Sequence, residues 1–102
     1  MCKAKPYTQP MIRTFRHKGL KVLFETGSTR GVRRDHVARL LRLLSALDQA
    51  RGPNDMDRPG NRLHCLKGDL AGFWSVSVSG NWRLIYRFVG TDIELVDYLD
   101  YH

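Results

Sequence analysis

Hydrophobic positions along the chain follow a helical period in its first half and a strand period in its second half. A first helix is predicted over Lys18–Thr26, where one apolar face repeats, and Gly27 is placed to end it. That face consists of Leu20, Leu23 and Phe24. A longer helix is predicted over Asp35–Ala50, with Asp35 as its N-terminal capping residue. Its apolar face consists of Val37, Leu40, Leu41, Leu44 and Leu47.

Strand patterns come before the first predicted helix and after the second one in the sequence. A short first strand is predicted over Met11–Phe15. From Asn61 onward apolar and polar residues alternate, which is typical of half-buried strands. Four further strands are predicted, over Asn61–Leu66, Phe73–Ser79, Trp82–Phe88 and Ile93–Tyr98, and Gly80–Asn81 is a tight hairpin turn. The order β-α-α-β-β-β-β predicts an α+β domain with two helices on one face of an antiparallel sheet.

Alternation also assigns the strand residues to two faces of the predicted sheet. Leu63 and Cys65 fit the core side, as do Trp82, Leu84, Tyr86 and Phe88. Because the helices cover only one face, the other face is left open. We expect it to present basic side chains, namely Arg62, His64, Arg83 and Arg87, with Lys67 at a strand end.

Charge and composition narrow the function class. The chain has 17 Lys and Arg against 10 Asp and Glu, a net charge of +7, which favours a polyanionic partner. Cys2 and Cys65 form no zinc-binding pattern, so we expect no metal. This cysteine usage favours a reducing cytoplasm. No signal peptide and no apolar run long enough to span a membrane is seen. Residues 1–10 are expected to be an N-terminal tail or extension, and residues 11–102 a single domain.

A basic sheet face with histidines suits cleavage of RNA without a metal. Such cleavage needs a base for the 2′-hydroxyl proton, cations for the charge on phosphorus, and an acid for the leaving 5′-oxygen. Histidine is the favoured proton carrier near neutrality, and His64 and the chain-terminal His102 are the candidates. His17 and His36 stand near predicted helix starts, so we expect structural roles for them.

Several separated motifs resemble those of HigB toxins, which belong to the RelE/ParE superfamily of toxin–antitoxin toxins. They appear in the same order as in that family and together span Met11 to His102. The motifs are Ile12–Leu20, Pro59–Asp69, Gly80–Leu84 and Asp100–His102. The resemblance implies a RelE-like fold and a ribosome-dependent mRNA interferase. Such toxins cut mRNA in the ribosomal A site by 2′-hydroxyl attack, with no metal or other cofactor.

The resemblance also implies a set of site residues. These are His64, Lys67, Arg83, Asp100, Tyr101 and His102. We assign phosphate binding to Lys67 and Arg83, and proton transfer first to His102. His64 and Asp100 would orient the site or share the role of base, and Tyr101 would position the nucleotide. Arg62 and Arg87 are expected to add contacts to RNA.

The partners implied by the resemblance are mRNA, the ribosome and a HigA-type helix-turn-helix antitoxin. Operator DNA would be bound only through the complex with that antitoxin, and no membrane partner is expected. Two other functions suit the same predicted fold. One is a ParE-like inhibitor of DNA gyrase, a class that generally lacks the catalytic side chains. The other is a non-catalytic basic module that binds RNA or the ribosome.

Overall fold

The computed structural model of the chain describes residues 12–100. Its helices are α1 (Lys18–Thr26) and α2 (Val37–Gln49). Its strands are β1 (His64–Cys65), β2 (Phe73–Ser79), β3 (Trp82–Val89) and β4 (Asp92–Asp100), which form one antiparallel sheet in the order β1-β2-β3-β4. Short 3₁₀ turns occur at Arg34–His36, Pro53–Met56 and Gly68–Leu70. The predicted α+β class is confirmed.

Helix α1 has the predicted bounds. His17 caps its N-terminus, because the Nδ1 atom accepts a hydrogen bond of 3.1 Å from the backbone N–H of Leu20. Gly27 ends it in the left-handed conformation, with φ 81°, and donates its N–H to the Leu23 carbonyl at 2.9 Å. The apolar face points inward as predicted, since Leu20 and Leu23 are buried.

Helix α2 begins later than predicted and buries a different leucine. The 3₁₀ turn Arg34–His36 precedes it, and Asp35 binds the Arg33 guanidinium at 3.3 Å instead of capping the helix. The predicted cap is therefore wrong. Leu41 was also wrongly placed in the core, because it is 40% exposed whereas Leu43 is 3% exposed. The face that packs on the sheet consists of Leu40, Leu43, Leu44 and Leu47.

The predicted first strand is not a regular strand. Within residues 12–15 only two isolated parallel bridges form with β4, Ile12 to Ile93 and Phe15 to Val96, and Met11 lies outside the described residues. Strand β4 is irregular beside this segment, because its register with β3 shifts and Leu95 has φ 57°. The Leu95 N–H donates to the hydroxyl of Thr14 at 2.9 Å, which ties the irregularity to the N-terminal segment.

Strand β1 is much shorter than the predicted Asn61–Leu66. Arg62 has φ 50°, a left-handed conformation that no extended strand accepts. Asn61 is buried and donates its side-chain N–H to the Met56 carbonyl at 2.8 Å, while its Oδ1 accepts from Arg39 at 3.1 Å. This network holds the chain out of the sheet until His64. Cys65 is exposed, so its predicted place in the core is wrong.

The main core lies between the helices and one face of the sheet. The sheet contributes residues that alternate along β2 and β3, including Val76, Leu84 and Tyr86, and β4 adds Ile93, Val96 and Tyr98. The four positions of β3 predicted for the core side pack as expected, since Trp82 and Phe88 also contact this cluster. Among residues 12–100, no helix is long and apolar enough to cross a membrane.

Candidate functional site

The sheet face away from α1 and α2 carries His64, Arg83 and Arg87 of the predicted residues, and we call it the open face. Antiparallel pairing arranges it in three rows across the strands, about 7 Å apart along the strand direction. The Arg83 row consists of Ser77, Arg83 and Leu99. The His64 row consists of His64, Ser75, Ile85 and Asp97. The Arg87 row consists of Phe73, Arg87 and Glu94.

His64 and Arg83 lie on this face, in adjacent rows. His64 is exposed at the edge strand, and Arg83 is partly buried near the centre of the sheet. Their Cα atoms are about 12 Å apart, because β1 and β3 are two strand spacings apart and the two residues lie in adjacent rows. The Nη1 atom of Arg83 is buried and has no hydrogen-bond partner among residues 12–100. This N–H is left unsatisfied and would gain a partner if the side chain turned toward a phosphate oxygen.

Arg87 is already engaged within the protein. Its Nη2 atom donates to the Glu94 carboxylate at 3.1 Å, and its guanidinium carbon lies 6.0 Å from the centre of the Phe73 ring. Its Nε atom is buried and without a hydrogen-bond partner in the described part of the chain. Arg87 therefore lies on the predicted face, but a carboxylate neutralises part of its charge.

Lys67 and Asp100 lie at opposite ends of the strands. Lys67 is exposed and follows Leu66, whose N–H bonds the Phe73 carbonyl at 2.8 Å, so it stands beside the Arg87 row. Asp100 ends β4 and pairs with Trp82, which places it on the helix-covered side of the sheet. The structure thus places Lys67 at the strand end beside the Arg87 row and assigns Asp100 to the helix-covered side, beside the Arg83 end.

Arg62 is exposed, and the adjacent Asn61 carbonyl accepts the Ser77 N–H at 2.7 Å. Arg62 therefore stands beside the Arg83 row, and its role in binding RNA stays a prediction. Tyr101 and His102 lie outside the described residues. Their roles stay predictions.

Acidic side chains on the open face were missed by the sequence reasoning. Asp97 pairs with Ile85, and Glu94 pairs with Arg87. Residues 12–60 contain eleven Lys and Arg and five Asp and Glu, whereas residues 61–100 contain four and five respectively. The excess positive charge therefore lies outside the strands that form the open face, and that face is of mixed charge. Counting charge segment by segment shows where the excess lies, but not on which face the acidic side chains stand.

Two histidines have structural roles, as predicted. His17 caps α1. His36 is buried, with its Nδ1 atom 2.6 Å from the Tyr98 hydroxyl, and its ring packs edge-on against Trp82. Within residues 12–100 no three His, Cys, Asp or Glu side chains come together in an arrangement that could hold a metal ion.

Comparison with known families gives one match over most of the chain. The family model describes a RelE-like toxin of the type II toxin–antitoxin system HigB and matches residues 13–102. Endoribonuclease HigB of Proteus vulgaris is 45% identical over 92 residues, which cover 90% of this chain and 100% of that protein. Toxin HigB-1 of Vibrio cholerae serotype O1 is 41% identical over 64 residues, covering 62% of this chain and 66% of that protein.

A solved structure shares the architecture. The YoeB–YefM complex from Staphylococcus aureus contains a chain that matches with a TM-score of 0.58 and 21% identity, covering 89% of this chain and 94% of that one. At that identity the likeness supports the fold alone. The comparisons confirm the family resemblance carried by the sequence motifs, and they confirm the fold class.

Proposed function

The chain belongs to the RelE-like toxins of the type II toxin–antitoxin system HigB, and from this premise we propose that it is an mRNA interferase. In this proposal it is an endoribonuclease that cleaves mRNA in the ribosomal A site, in the cytoplasm. The Proteus vulgaris relative is named an endoribonuclease, which supports the reaction class. The observation in this chain that carries the proposal is the placement of His64 and Arg83 in adjacent rows of one open face.

The proposed reaction needs no group beyond side chains and the RNA itself. A base removes the proton of the 2′-hydroxyl, whose oxygen attacks the adjacent phosphorus and forms a 2′,3′-cyclic phosphate. The bond to the 5′-oxygen breaks, and an acid donates a proton to that oxygen. Arg83 is suited to stabilise the charge that grows on the phosphoryl oxygens, because its guanidinium is positively charged, lies partly exposed on the open face and carries an Nη1 atom with no partner in residues 12–100.

We assign the proton-transfer roles by chemistry to the residues at the motif positions. His102 is the leading candidate for proton transfer, and His64 would orient the site or share the role of base. Asp100 has the same proposed role from the end of β4 beside the Arg83 row, although its backbone pairs with Trp82 on the helix-covered side. Lys67 adds positive charge at the Arg87 end of the sheet, and Tyr101 positions the nucleotide. Since His64 and Arg83 are about 12 Å apart, they would contact neighbouring groups of one bound strand and not each other.

A protein antitoxin is the partner implied by membership in a toxin–antitoxin family. We propose a HigA-type helix-turn-helix antitoxin, with operator DNA bound only through its complex with this toxin. The structural relative was solved as a complex of YoeB with YefM, and this supports a protein partner of the same general kind. We further propose the ribosome as the partner that presents mRNA to the open face.

Primer extension on translated mRNA tests the proposal. We compare wild type with His102→Ala and Arg83→Ala, and use Arg51→Ala, an exposed arginine after α2, as the matched control. Wild type and the control should give cleavage sites that depend on translation, and both site variants should lose them while remaining folded. Wild-type toxicity without any mRNA cleavage would instead favour a gyrase inhibitor or a binding module.

The chemistry of the RNA ends tests the mechanism separately. A 2′,3′-cyclic phosphate on one product and a 5′-hydroxyl on the other are expected from 2′-hydroxyl attack. Products that carry a 5′-phosphate would show that water, and not the 2′-hydroxyl, attacks the phosphorus. That result would contradict the mechanism and leave the enzyme class intact.

A further inference from the structure

Two arginine side chains lie against one phenylalanine ring on the open face. The guanidinium carbons of Arg16 and Arg87 are 5.8 Å and 6.0 Å from the centre of the Phe73 ring. Phe73 is 8% exposed and lies outside the main core cluster. Its ring therefore serves as a support for cations on the open face, where the ring quadrupole attracts them. We call Arg16, Phe73 and Arg87 the Phe73 stack.

Arg16 reaches this ring from the opposite edge of the sheet. Its backbone N–H donates to the Val96 carbonyl at 2.8 Å, which fixes its starting point beside β4. Phe73 belongs to β2, two strands away. The side chain of Arg16 must therefore extend over the sheet to reach the ring, although the residue is exposed and could point into solvent.

The Phe73 stack has more positive than negative charge. Glu94 is the carboxylate bound to it, through the Nη2 atom of Arg87. Arg16 forms no ion pair with any acidic residue among positions 12–100. The Nε atom of Arg87 is buried and also lacks a hydrogen-bond partner in that part of the chain. Two guanidinium groups, one carboxylate and an unused donor together favour an anionic ligand.

We propose that the Phe73 stack is a phosphate-binding subsite for the RNA strand, with Arg16 as a contact residue outside the catalytic set. The inference rests on the proposed function, because it takes the ligand of the open face to be RNA. The Arg87 row is about 7 Å along the strands from the His64 row, on the side away from Arg83. Because the Arg87 row is two rows, about 14 Å, from the Arg83 row, the subsite holds a phosphate further along the strand than the scissile one and contributes to affinity more than to the chemical step.

The competing explanation is that these contacts are purely structural. In that case Arg16 would only fasten the N-terminal segment to the sheet. Loss of its charge would then lower stability and leave RNA affinity unchanged. The two explanations differ in the quantity that each variant changes.

Single-turnover cleavage of mRNA on purified ribosomes separates these explanations. Arg16→Gln should raise the half-saturating toxin concentration about fivefold, the loss of one charge-assisted contact, while the maximal rate stays within about twofold. The salt dependence of binding should fall by about one unit of slope. Arg13→Gln is the matched control, because Arg13 lies in the same segment but is paired with Asp92 at 3.1 Å. Wild-type affinity and salt slope in Arg16→Gln would overturn the proposal.

Glu94→Gln gives a test of opposite sign. Removing this carboxylate frees Arg87 and should lower the half-saturating toxin concentration about twofold to threefold. A purely structural contact would not produce this change. Weaker RNA binding by Glu94→Gln, in a variant whose thermal unfolding matches wild type, would overturn the subsite. If wild-type protein cleaves no RNA, the proposed function fails, and the same variants are then compared by anisotropy with a labelled RNA oligonucleotide.

Discussion

The Nδ1 atom of His36 and the hydroxyl of Tyr98 lie 2.6 Å apart in the interior and form a hydrogen bond between the helical layer and β4. His36 stands in the 3₁₀ turn before α2, and the Tyr98 ring stacks at 4.7 Å on Trp82 of β3. Both residues are buried, so neither polar atom has water as an alternative partner. This contact fixes where α2 begins relative to the sheet.

Tyr98→Phe is expected to destabilise the protein. The substitution removes the hydroxyl and leaves the imidazole nitrogen of His36 buried without this partner, which costs about 1–3 kcal/mol. Urea denaturation followed by circular dichroism measures the change in the free energy of unfolding. A loss of less than about 0.5 kcal/mol, half the lower end of the expected range, would show that another group replaces the hydroxyl.

Tyr86→Phe also removes a tyrosine hydroxyl oxygen, but its expected effect on the free energy of unfolding is different. The Tyr86 hydroxyl is buried and has no hydrogen-bond partner among residues 12–100. Deleting it removes an unsatisfied polar group, so stability should stay the same or rise by about 1 kcal/mol. Measured beside Tyr98→Phe, this variant controls for the general effect of losing a tyrosine oxygen. A marked loss of stability would contradict the unsatisfied state of this hydroxyl.

Alkaline pH is expected to lower the stability. Burial raises the pKa of both Tyr86 and Tyr98 above the ordinary value of about 10. The folded protein therefore keeps protons that the unfolded chain releases above about pH 10, and the stabilisation is lost as the pH rises through the folded-state pKa values. Urea midpoints measured at about pH 8, 9.5 and 10.5, which span the ordinary tyrosine pKa of about 10, follow this loss. Tyr86→Phe combined with Tyr98→Phe should flatten the dependence, and an unchanged slope would exclude these tyrosines as its cause.

Gly19→Ala is expected to destabilise the connection between the helices. A Cβ atom on Gly19 would lie 2.5 Å from the Gly31 carbonyl oxygen, which is backbone and cannot turn aside. The clash should cost about 1–3 kcal/mol, more than the gain of about 1 kcal/mol from replacing glycine in a helix. Gly52→Ala is the control, since a Cβ there meets nothing within 4 Å and the backbone is extended. Equal thermal stability of both variants would contradict the close approach.

Much of the fold follows from local sequence patterns. The bounds of α1 and β2 and the turn at Gly80–Asn81 match the prediction, because each depends on residues near one another in the chain. Predictions failed where distant residues act on the backbone. Arg39 and Met56 bind Asn61 and shorten β1, and Leu43 replaces Leu41 in the core because the sheet selects which side of α2 it covers.

Separated motifs in the sequence identify the family, and the two-residue period of a strand places His64, Arg83 and Arg87 on the open face. The charge of that face was not predictable in this way, because it depends on tertiary contacts. Strict alternation along β4 would put Glu94 and Asp97 on opposite sides, but the irregularity at Leu95 brings both to the open face. Pairing across strands then engages Arg87 with Glu94, and the N-terminal segment brings Arg16 to the same surface. These contacts join residues far apart in the chain, so no local period contains them.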